Sequence, residues 1–148
     1  MEIQQSLGYL LNTSARLMKR ELDMKLKDYG ITTAQWAVLK LLSSEGNLSQ
    51  AEIADKTNSD RATCGAVIDK LISKGLLQKE LFKNDRRSYR VKILPSALGI
   101  VDEATLLAKS VNNSAVKGLS DKEVDTFVKY LNTVISNMEG KYKDAMGI

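Results

Sequence analysis

The side chains with most chemistry to offer in this 148-residue chain are cations, and they are unevenly placed. Between residues 48 and 94 stand Lys56, Arg61, Lys70, Lys74, Lys79, Lys83, Arg86, Arg87, Arg90 and Lys92, against six acids. The flanking stretches 1–47 and 95–148 nearly cancel, so the +4 net charge resides in the middle third. A basic excess confined to one segment predicts a polyanion partner. Its densest point is Arg86-Arg87 beside Asp85, where a carboxylate can fix a guanidinium by a paired hydrogen bond.

Other chemistries lack their residues. The chain has no histidine, which removes Ser-His-Asp and Cys-His triads, imidazole-ligated metals and the usual general base near neutral pH. One cysteine, Cys64, can neither close an internal disulfide nor build a thiolate zinc site. No Gly-rich phosphate loop occurs. The expectation is no catalytic residue, no metal and no cofactor. Charges interrupt every long apolar run, and Met1-Glu2-Ile3-Gln4-Gln5 is unlike a secretory leader, so the sequence predicts a cytoplasmic protein without membrane contact.

The elements that must position those cations announce themselves. Three glycines are each followed by a Ser/Thr-x-x-Glu/Gln capping box: Gly30 by Thr32–Gln35, Gly46 by Ser49–Glu52, and Gly118 by Ser120–Glu123. Glycine suits a left-handed helix stop and the box satisfies amide donors at the next helix start, so these are helix-to-helix junctions. Ile3, Leu7, Leu10, Leu11, Leu17, Met18, Leu22 and Leu26 predict a first helix to about Tyr29. A second helix carries Trp36, Leu39 and Leu42, and a short third runs from Ser49 to about Lys56. A fourth, from near Ser59 to Gly75, turns Cys64, Val67, Ile68, Leu71 and Ile72 inward. On that stripe Cys64 reads as a small core residue.

After Gly75 the apolar period falls to two, predicting strands over Leu77–Lys83 and Tyr89–Leu94 around a polar turn at 83–88. Pro95 opens a helix with Leu98, Val101, Leu106 or Leu107 and Val111 inward, and a last amphipathic helix ends the chain. The fold class expected is mostly α with a small β-hairpin wing. A short helix, a tight turn and a second helix sized for a major groove form a helix-turn-helix. Its outward face is Arg61, Ala62, Gly65, Ala66, Asp69, Lys70 and Ser73, with Gly65 and Ala66 giving a smooth patch for close approach to base edges. Arg61 and Thr63 could reach bases or phosphates, and Lys70 a phosphate. An Arg86-Arg87 hairpin tip suits the negative minor groove.

In order and spacing, Ile31–Trp36, Leu48–Ala54, Ser59–Thr63, Val67–Leu71, Lys74–Leu77 and Asp85-Arg86-Arg87 resemble the MarR family of transcriptional regulators. The resemblance implies a winged helix-turn-helix over 31–94 and helical dimerisation regions over 1–29 and 95–148 of one chain. It implies a homodimeric repressor on a palindromic double-stranded DNA operator, with Arg87 in the minor groove, commonly released by a small aromatic or phenolic effector or an oxidant. The expected DNA-binding set is Thr32, Ser49, Gln50, Arg61, Ala62, Thr63, Gly65, Ala66, Lys70, Arg86, Arg87 and Ser88. Many relatives carry Thr and Arg where this chain has Gly65 and Ala66, so Arg61 is expected to take over base reading. The family's Leu-Thr-x-x-Gly after the second strand is also absent. For an aromatic acid, Arg16, Arg20 and Trp36 are the expected binding residues. The competing reading is a winged-helix protein–protein module without DNA binding.

Overall fold

The computed structural model describes the backbone of residues 1–82 and 85–147, and side chains for these except 82–88 and 142–146. Its helices are α1 (Leu7–Leu26), α2 (Thr33–Glu45), α3 (Gln50–Lys56), α4 (Arg61–Ser73), α5 (Pro95–Ala115) and α6 (Asp121–Met146). Strands β1 (Leu77–Phe82) and β2 (Asp85–Ile93) form one antiparallel hairpin between α4 and α5. The chain divides into a unit over 1–112 and a second over 113–148. No described helix is long and apolar enough to cross a membrane.

The three capping boxes close as the sequence predicts. Thr32 accepts from the Gln35 N–H at 3.2 Å while Gln35 Oε1 accepts from the Thr32 N–H at 3.1 Å. Ser49 with Glu52 and Ser120 with Glu123 do the same. Gly30 stands at φ 69° directly before the first of these, where a side chain would be strained. α1 ends earlier than expected, because Lys27–Tyr29 tightens into a 3-10 turn before that glycine. α4 begins at Arg61 rather than Ser59, since Asp60 takes the capping position and accepts from the Thr63 N–H at 2.7 Å.

One core serves the first unit. Leu26, Leu39, Leu42, Ile53, Cys64, Ile68, Leu71, Leu77 and Val91 are fully enclosed, drawn from α1, α2, α3, α4 and the hairpin. α5 closes it with Ala97, Val101, Ala104, Ala108 and Val111. Val101 and Val111 face inward as expected and Leu107 packs beside them, but Leu98, 47% exposed, does not, and alanines take the remaining inward places.

The hairpin also departs from expectation. β2 starts at Asp85, paired with Phe82, so residues expected in the turn already belong to the strand, and the register shifts between Leu81 and Phe82. In the second unit no described residue is buried, and Phe127, Val128, Tyr130, Ile135 and Met138 of α6 are largely exposed.

Ile68→Ala, at a site with no exposure, should cost about 2–5 kcal/mol, whereas Leu81→Ala on exposed strand surface should stay within about 0.5 kcal/mol. Urea denaturation measures both, and equal losses would contradict this core. A second expectation concerns acid. Hydrogen bonds from Ser49, Thr63 and Ser120 hold the Glu52, Asp60 and Glu123 carboxyls below their ordinary values of 4.5, 3.8 and 4.5. The stability they contribute is complete above those ordinary values and is lost as pH falls through the lower folded ones. Melting temperatures should therefore drop below about pH 4.5, and less steeply in the Glu52→Gln, Asp60→Asn, Glu123→Gln triple variant. Identical acid limbs for the two proteins would refute the assignment.

Candidate nucleic-acid interface

The interface is built on α3 and α4, joined by Thr57–Asp60, a turn in which Asn58 takes φ 52°. Ser59 N–H bonds to the Ala54 carbonyl at 2.9 Å and the Thr57 hydroxyl to the Ile53 carbonyl at 2.7 Å, which fixes the crossing. With Cys64, Ile68 and Leu71 buried, α4 turns Arg61, Ala62, Thr63, Ala66, Asp69, Lys70 and Ser73 to solvent. Neither Arg61 nor Lys70 is held by an ion pair among the described residues.

Most neighbouring cations are engaged. Lys56 pairs with Glu45 at 3.0 Å, Lys79 with Asp69 at 3.6 Å, and Lys92 with Glu80 at 3.2 Å. Arg90 meets Glu52 at 3.6 Å and donates to the Asn47 carbonyl at 3.2 Å. Lys74 caps the Gly30 carbonyl and donates to Gln35 Oε1 at 3.1 Å, tying the end of α4 to the start of α2. The basic excess read from sequence therefore narrows, among described side chains, to Arg61 and Lys70.

Four sequence-predicted residues have structural partners, Gln50 among them through its bond to the Arg61 carbonyl. Thr32 and Ser49 are capping residues, their hydroxyls turned to their own helices. Thr63 donates its hydroxyl proton to Asp60 Oδ2 at 2.7 Å, so its oxygen keeps only acceptor capacity outward. Gly65 is half-buried, and its open side is taken by Gln50 of α3, whose Nε2 lies 2.7 Å from where a Cβ would be. The smooth exposed patch thus consists of Ala62 and Ala66 without Gly65. Arg86, Arg87 and Ser88 stand on β2, but their side chains, with that of Asp85, lie outside the described residues.

The wing is fastened to this helix pair by backbone. Leu48 N–H bonds to the Val91 carbonyl at 3.3 Å and Val91 N–H to the Leu48 carbonyl at 2.7 Å, a one-residue strand beside β2. A single paired residue has no period, so the sequence carries no mark of it.

A cleft of about 410 Å³ lies between α1, α2 and α5, lined by Ala15, Met18, Leu22, Trp36, Ala108 and Val111, with Lys19, Thr33 and Asn112 supplying polar groups. Trp36 donates from Nε1 to Thr105 Oγ1 at 3.4 Å. Arg16 and Arg20 are exposed and outside this lining, because Ala15, Met18 and Leu22 face it instead; the cation at its wall is Lys19. Lys19 is paired with Asp23 at 2.9 Å, and Asp23 accepts from the Thr33 N–H at 2.7 Å. Partial burial pushes the Asp23 carboxyl up, but these bonds outweigh it and hold it below its ordinary value. Burial pushes the Cys64 thiol up, which leaves less of the reactive thiolate.

A sequence model of the MarR family matches residues 31–89, from the end of the first helical region to the second wing strand. The fold is similar over nearly its whole length to Bordetella bronchiseptica BpsR, whose DNA binding is regulated by 6-hydroxynicotinic acid. Identity there is 26%, with 90% of this chain and 96% of that one covered and a TM-score of 0.83. A mutant MarR from E. coli complexed with operator DNA is 26% identical, covering 86% and 92%, with a TM-score of 0.79. A probable transcriptional regulator from Pseudomonas aeruginosa is 25% identical, covering 90% and 99%, at 0.81. These relatives are regulators rather than enzymes, and their folds are similar to this one over most of its length. Over residues 31–89 in sequence, and over most of its length in fold, the chain is similar to the MarR family of winged-helix transcriptional regulators.

Proposed function

We propose that the chain is a homodimeric repressor that binds a palindromic operator and is released by a small aromatic or phenolic acid. The observation that carries this reading is the solvent face of α4. There, among the described residues, Arg61 and Lys70 have no ion pair beside Ala62 and Ala66, while Lys56, Lys79, Lys92 and Arg90 are engaged. In this reading Arg61 meets base edges, Lys70 meets phosphate, and Arg86 and Arg87 enter the flanking minor groove.

Dimerisation is supported by large apolar residues exposed within each unit. Leu7, Leu10 and Leu17 of α1 are 70%, 46% and 51% exposed, and α6 presents Phe127, Ile135 and Met138 similarly. Apolar residues gathered on helix faces in this way suit association with a second copy. A twofold pair would set two reading helices about one DNA turn apart, roughly 34 Å.

The cleft supports the effector. Its walls are apolar, Trp36 offers an aromatic face, and Lys19 offers a cation to a carboxylate. Arg16 and Arg20 are assigned to solvent in this reading. BpsR, similar in fold, answers to an aromatic acid.

DNA selected from a random pool should be palindromic, and affinity for it should fall about a thousandfold between 50 and 200 mM salt. Arg61→Ala should flatten base preference, whereas Lys70→Ala should weaken all sequences alike and lower the salt slope by about one. A flat salt response would favour a protein partner instead. Trp36 is the single tryptophan, so its emission reports the cleft directly. Salicylate-like acids should change it saturably and release DNA at matching concentrations. Release without any change in emission would place the effector elsewhere.

A further inference from the structure

Position 65 lies in the middle of α4, where glycine is a poor helix former, so a reason for its presence is owed by packing. The structure supplies one. A Cβ at Gly65 would fall 2.7 Å from Nε2, 3.5 Å from Cδ and 3.7 Å from Oε1 of Gln50. The whole amide therefore occupies the place of a side chain at position 65. It is anchored there by a hydrogen bond from Nε2 to the Arg61 carbonyl at 3.2 Å. That anchor uses one of the two Nε2 protons. The other proton and Oε1 have no partner among the described residues, and Gln50 is only half-buried.

We propose that Gln50 is a specificity-determining residue for DNA: through the gap at Gly65, α3 supplies α4 with the polar side chain that α4 lacks there. This rests on the DNA-binding reading above. The remaining N–H and Oε1 are an adjacent donor and acceptor, the pair by which an amide side chain recognises the N7 and N6 edge of adenine. Ala62 and Ala66, exposed on the same helix, carry nothing beyond Cβ to hold a base edge away from it. The Arg61 anchor holds the amide's orientation before DNA arrives, which reduces the ordering cost of contact.

The test selects half-site preferences from a random duplex pool for wild type, Gln50→Ala, Gly65→Ala and the double variant. Binding to an unrelated duplex at low salt is measured in parallel. Gln50→Ala should erase preference at one base pair per half-site, a loss of discrimination of about 5- to 150-fold. Other positions and unrelated-duplex binding should stay within about twofold. Gly65→Ala should erase the same preference by evicting the amide, and should add nothing in the Gln50→Ala background, because coupled residues are non-additive. Retention of every wild-type preference by Gln50→Ala, or additive effects of the two changes, overturns the proposal. Should Gly65→Ala fail a circular-dichroism melt, Gln50→Ala alone decides. A wild type that selects no sequence and ignores the unrelated duplex removes the DNA-binding reading itself, and this proposal with it.

Discussion

Two backbone hydrogen bonds between Leu48 and Val91 make one body of what would otherwise be a helix pair and a loose hairpin. A two-stranded hairpin is marginal in water on its own, and only six residues of β1 face β2 here. Leu48 and Val91 are both buried, so the bridge lies in the core, where unpaired amide groups would be costly. Around it, Arg90 reaches Asn47 and Glu52 from β2, and Asn47 reaches Glu80 on β1. Exposed ion pairs of this kind contribute little individually. Their value is directional: they fix the angle between hairpin and α3, and hence α4.

The parts of this fold that were legible in sequence are those with local causes. Capping boxes at Thr32, Ser49 and Ser120 act through neighbours three residues away, and each closed as written. The inward stripe of α4 repeats at helical spacing, and Cys64, Ile68 and Leu71 are buried accordingly. The illegible parts have distant causes. The face α5 buries is set by its tertiary neighbours, and it holds Ala97, Ala104 and Ala108 while the larger Leu98 and Leu106 stay exposed. Gly65 looked like a feature of one helix surface, but its reason lies fifteen positions back, at Gln50 on another helix. The bridge at Leu48 has no signature because one residue cannot alternate.

Charge tells the same story in another form. Counting lysines and arginines located the basic third of the chain, but counting cannot distinguish engaged cations from available ones. Lys56, Lys79, Lys92 and Arg90 hold the fold's own acids, and Lys74 holds a carbonyl and a buried glutamine. Among the described side chains, what is left beside α4 is Arg61 and Lys70, a pattern better suited to fixing register than to blanket attraction. The cleft obeys the same economy, with its polar residues bound to one another through Lys19, Asp23 and Thr33 at the start of α2.

The space over Gly65 also bears on how such proteins could be redesigned. A recognition helix is often treated as a cassette, exchangeable while the scaffold stays. In this scaffold a transplanted helix with a larger residue at that position would push the Gln50 amide, the end of a flexible side chain, out of its place. The smallest self-consistent cassette spans both helices and the turn between them, from Ser49 to Ser73.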